Sequence, residues 1–103
     1  MIDKELLELA AKAADYSCRI RTTKIGIEKF YINGHVWNPL DDDGDALRLA
    51  VKLGLAINIT PSKIYASDGC IDGVNEVMDT SDLYAATRRA IVRAAAEIGK
   101  KKK

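Results

Sequence analysis

The chain has 103 residues, 48% of them hydrophobic and 30% charged, with a formal net charge of +1. That length supports one core and not two, and the balance excludes a disordered chain. Aromatic residues are only 6%, which disfavours a broad stacking surface for bases, and no apolar run reaches the roughly 18 residues of a membrane span. The N-terminal "MIDKELLELAAKAAD" lacks a signal-peptide layout, so the expectation is a cytoplasmic protein with no membrane contact. The small net charge hides an asymmetry: residues 1–80 carry nine Lys or Arg against thirteen Asp or Glu, and residues 81–103 carry seven against two. A solvated helix face with a lysine tail is the common reason for such a bias, and an anionic partner is the other.

In chain order, Ile2, Leu6, Leu9, Ala10 and Ala13 recur at helical spacing, which predicts an amphipathic helix over 3–15. "YSCRIRTTKIGIEKFYINGHVW" follows, rich in β-branched and aromatic residues. Its Asn33-Gly34 fits a two-residue type I′ turn between strands at 24–32 and 35–37, with a short earlier strand possible around 18–21. Ala46, Leu47, Leu49, Ala50 and Leu53 predict a second helix over 45–53, closed by Gly54 in the left-handed region.

Leu55, Ile57 and Ile59 then alternate with polar or small residues, a strand ended by Pro61. "KIYAS", the turn Ser67-Asp68-Gly69 and "CIDGVNEVMD" continue the strand reading, with Gly73 marking a bulge or bend. Thr80-Ser81-Asp82 caps a long last helix over 81–98. Gly99 is expected to end it and the lysines beyond to fray. Residues 1–99 therefore read as one α+β domain and 100–103 as a basic tail. The order helix, hairpin, helix, hairpin, helix implies an antiparallel sheet layered with three helices, an α/β/α sandwich.

Chemistry is sparse. "WNPLDDDGDALRLAV" sets four aspartates within five positions, Asp41 to Asp45. Aligning Gly44 with the glycine of a calcium-binding EF-hand loop puts Pro39 and Ala50 at two essential ligand positions. An acidic helix cap is the preferred reading, each carboxylate stabilising by a few tenths to about 1 kcal/mol. Trp37 is expected to pack a helix on the sheet, the alternative being an exposed partner anchor. His35 stands alone, Cys18 and Cys70 form no CxxC pair and read as buried reduced thiols, and the glycines form no phosphate loop. No catalytic, metal or cofactor residues are assigned. Arg88, Arg89 and Arg93 on the last helix form a candidate basic stripe, with Glu97 placed to neutralise Arg93 in part.

"WNPLDDDGDALRLAVKLGL" and "YAATRRAIVRAAAEIG" resemble the phage ABA sandwich domain, a family of small bacteriophage and prophage proteins. The resemblance covers about a third of the chain directly. It implies a sheet between helices, a phage or prophage origin and no catalytic residues to carry over. The expected function is that of a non-enzymatic accessory protein that binds a host protein through Trp37, Arg88, Arg89 and Arg93, for host takeover or against host defence. The alternative is nucleic-acid binding through the basic last helix and tail, and an exposed sheet edge leaves a homodimer open.

Overall fold

The computed structural model describes residues 3–22, 24–26, 28–60, 63–69, 74–77 and 82–102, the segment 74–77 by its backbone. Helix α1 spans Asp3–Ala13, strands β1, β2 and β3 span Cys18–Thr22, Glu28–Ile32 and His35–Val36, and helix α2 spans Asp43–Leu53. Strands β4, β5 and β6 span Ala56–Ile59, Lys63–Ser67 and Val74–Val77, and helix α3 spans Leu83–Lys101. This is an α+β fold with antiparallel strands in the expected order of helices and strands. The strands close into two sheets of three, β1-β2-β3 and β4-β5-β6, separated in sequence by α2.

Each boundary has a local cause. Asp15 turns the chain at the end of α1 with φ 57°, and the Tyr16 N–H donates to the Ala11 carbonyl at 2.9 Å. The expected long strand from Lys24 begins instead at Glu28, after a turn in which Gly26 takes φ 83°. The short early strand is present and reaches Thr22. Asn33 and Gly34 both take positive φ, 53° and 80°, as a type I′ turn requires, and they set Tyr31 opposite Val36. Helix α2 starts two residues before the expected Asp45, because Asp42 is the N-cap and accepts from the Asp45 N–H at 2.8 Å. Gly54 closes it at φ 65°, as expected.

Helix α3 departs most from the sequence reading. Asp82 caps its start, accepting from the Ala85 N–H at 3.0 Å, whereas Thr80 and Ser81 lie outside the described residues. Its end is not Gly99. That residue is helical and buried, and a Cβ there would sit 2.1 Å from the Leu9 carbonyl oxygen of α1. The glycine permits a close helix crossing and supplies no left-handed stop. The helix continues through Lys101, so Lys100 and Lys101 belong to the fold and not to a frayed tail. Lys102 then donates to the Ala13 carbonyl at 3.1 Å and to Asp15 Oδ1 at 2.7 Å, fastening the end of α3 to the end of α1.

Two faces of α3 carry the core. Ile91, Val92, Ala95 and Ala96 join Leu6, Leu7 and Ala10 of α1, Phe30 of β2, Trp37, and Leu49 and Ala50 of α2 in one cluster. Ala90 and Ala94 meet Ile64 and Ala66 of β5 in a second, where small side chains let the helix lie close to the sheet. Burial of these apolar groups is the main stabilising term, at about 25 cal/mol per Å² removed from water. Among the described residues no helix is long and apolar enough to cross a membrane.

Candidate binding surfaces

The aspartate cluster disperses into separate structural contacts. Asp42 caps α2, Asp45 accepts from the Asn38 N–H at 2.9 Å, and Asp41 accepts from Asn38 Nδ2 at 3.1 Å. Asp43 pairs with Arg88 at 2.5 Å. Arg48 Nη2 donates to Asp45 Oδ1 at 2.7 Å, and that hydrogen bond is the largest cause holding its guanidinium above the usual arginine range. Asn38 Oδ1 also accepts from the Leu40 N–H at 3.1 Å, with Pro39 fully buried beside it. The arrangement is a self-bonded turn leading into a capped helix. Among the described residues no three His, Cys, Asp or Glu side chains converge as ligands.

Trp37 is 6% exposed and meets Tyr16 edge to face, ring centroids 5.9 Å apart. It takes the packing role, and its burial removes it from the partner-binding set. The basic stripe of α3 is also largely engaged. Arg88 donates from Nε to the Leu40 carbonyl at 2.8 Å with its side chain 16% exposed, tying α3 to the turn before α2. Arg89 reaches Asp3 at 3.3 Å in an exposed pair worth less than about 1 kcal/mol. Arg93 is half-buried and likewise not free. Glu97 pairs with Lys100 at 3.0 Å. The four residues named from the sequence do not form one surface.

Cys18 is a half-buried free thiol on the inner side of β1. Burial pushes it above the ordinary thiol range, the direction of an unreactive cysteine. Cys70 lies outside the described residues. His35 is exposed on β3.

Two surfaces emerge that sequence spacing did not single out. The first is an apolar groove of about 560 Å³ between α2, the start of α3 and β4, lined by Ala46, Leu47, Ile57, Ile59, Leu83, Tyr84 and Ile91. Leu47 is 62% exposed, Ile59 56% and Tyr84 71%; Val51, one turn beyond Leu47, is 73% exposed. Leu47 was expected on the inward stripe of α2, but Ala46, Leu49 and Ala50 fill that stripe by themselves. Leu47 and Val51 are spaced i, i+4 and so form a second apolar row, which was the available signal. Ile59 departs from its expected burial because α2 leaves the sheet edge uncovered there. The polar groups at the rim, Asp43 and Arg88, bond to each other.

The second is the outer face of the sheet β1-β2-β3. The register sets Arg19 opposite Tyr31 and Arg21 opposite Lys29, while Cys18, Ile20, Phe30 and Ile32 share the inner face. Here the signal was period-two spacing, Arg19 with Arg21 and Lys29 with Tyr31. No family model, curated protein or solved structure matches the chain.

Proposed function

We propose that this protein is a non-enzymatic accessory protein of bacteriophage or prophage origin that works in the host cytoplasm by binding a host protein. The observation that carries the reading is the apolar groove, whose large side chains face solvent where an isolated domain gains nothing by leaving them exposed. The rim supports binding over catalysis, since Arg88 is committed to Leu40 and Asp43 and supplies no free acid–base pair. The phage origin rests on the resemblance of the Trp37 and Tyr84 stretches to the phage ABA sandwich domain.

The occupant is an extended host segment with alternating apolar residues. Strand β4 is terminal in its sheet, and Ile57 and Ile59 face the groove from it. A segment added along β4 continues the sheet and places every second side chain over Leu47 and Tyr84.

The test compares wild type with Leu83→Glu and Tyr84→Ser in capture from infected cells, with a photo-crosslinker at position 47 and a control at position 101. Expected is one host protein crosslinked at 47, lost in both variants, with thermal midpoints unchanged. Equal capture by the variants rejects the groove, and sedimentation showing wild-type dimers that the variants lack assigns it to a second copy of this chain.

A further inference from the structure

We infer that the outer face of the sheet β1-β2-β3 is a binding site for single-stranded nucleic acid, separate from the apolar groove. Arg19 and Arg21 lie two apart on β1, about 7 Å along the strand, and Lys29 and Tyr31 answer them on β2 at cross-strand spacing. Arg21 and Lys29 are directly opposite, a like-charge pair that destabilises an antiparallel ladder. Among the described residues no carboxylate partners Arg19, Arg21 or Lys29, although the chain elsewhere matches Lys4 with Glu28, Arg48 with Asp45 and Lys102 with Asp15. The face is thus left with unbalanced positive charge at its centre, which an anionic polymer neutralises.

The shape narrows the polymer. Arg19, Arg21 and Tyr31 line a depression of about 380 Å³ whose rim carries the polar side chains of Ser17 and Asn33. The Arg21 guanidinium lies 5.6 Å from the Tyr31 ring centroid, a planar cation over an aromatic face. A depression of that size takes an unstacked base laid on the guanidinium plane of Arg21, which Tyr31 supports from beneath, with its phosphates on Arg19 and the neighbouring Lys29. A duplex keeps its bases stacked inside, and a purely acidic polypeptide has no planar group for Arg21. The sugar is not specified by these contacts, so RNA and DNA share the chemistry.

The experiment is a fluorescence anisotropy titration of the full chain with short oligouridine and oligodeoxyuridine, and with polyglutamate as an anion without bases. Expected is saturable binding of the oligonucleotides, with log affinity falling against log salt at a slope of about −2 for three cations. Arg19→Gln and Lys29→Gln should each reduce that slope by about 0.7. Tyr31→Ala should weaken binding about tenfold with the slope kept. Lys29→Gln relieves the like-charge pair, so its fold is not at risk, and the doubly substituted Lys100→Gln, Lys101→Gln chain should bind as wild type. The proposal is overturned by absent binding at low salt, by equal affinity for polyglutamate, or by binding that survives Lys29→Gln unchanged and disappears with the lysine pair. Preference for one oligonucleotide assigns the sugar within the same site.

Discussion

The two sheets are alike in build and opposite in how they meet solvent. Each has three antiparallel strands and one face turned inward. On β1 and β2 the outer positions are Arg19, Arg21, Lys29 and Tyr31; on β4 and β5, Asn58 faces Tyr65, with Lys63 the one cation of those two strands. One cation on two strands is therefore compatible with a small sheet in this protein, and the three cations on the other sheet exceed what its folding requires. The second sheet's unusual feature is instead at its β4 edge, where apolar side chains stay uncovered. Unsatisfied charge marks one surface and unsatisfied apolar area the other, and each calls for a different partner.

The largest way to break both surfaces together is through the helix crossing that supports them. Gly99→Leu forces a side chain into the Leu9 carbonyl, and we expect loss of cooperative folding, or at least about 3 kcal/mol in chemical denaturation. An unchanged midpoint would show that α1 and α3 do not cross so closely. Trp37→Ala removes the ring packed on Tyr16 and should lower stability by about 3–5 kcal/mol. A loss below about 1 kcal/mol would return Trp37 to the list of exposed anchors.

The comparison itself is sharpened by reversing one charge on each sheet. Lys29→Glu converts the Arg21 pair from repulsive to attractive and should raise stability by about 0.2–1 kcal/mol, whereas Lys63→Glu should stay within about 0.5 kcal/mol of wild type. Equal effects at the two positions, read from urea midpoints, would erase the electrostatic distinction between the sheets.

The smallest effect is at the far end of α3. Chiefly through its hydrogen bond, Lys102 holds the Asp15 carboxyl below the usual aspartate range. A lowered folded value contributes stability above the unfolded carboxyl's ordinary pKa of about 3.9, and the contribution is lost as pH falls through the lowered value. Lys102→Gln should lower the neutral plateau of the melting profile slightly and leave its most acidic end unchanged, flattening the acid limb between them. A profile identical to wild type would mean that the end of α3 is not fastened to Asp15.

How legible the molecule was depended on how local each determinant is. The start of α2 could be placed within two residues, and Gly54 at its close, because caps act on neighbours a turn away. Asn33-Gly34 set its hairpin turn for the same reason. A glycine allowing helix contact and a glycine closing a helix look alike in sequence; only the Leu9 carbonyl, 2.1 Å from where a Cβ on Gly99 would stand, separates them. The candidate surface was least legible. Arg88 and Arg89 look like a free stripe until Leu40, Asp43 and Asp3 arrive from elsewhere in the chain.

By itself the sequence determined the elements, their order, the α+β class and the two capped helices, all of which follow from periodicity and short-range hydrogen bonding. Tertiary structure alone decided that the strands divide into two sheets, and that Leu47, Ile59 and Tyr84 share one groove while Arg19, Arg21, Lys29 and Tyr31 share one face. Those outcomes depend on strand register and helix crossing, where the groups that meet lie up to 90 positions apart and no local pattern records them.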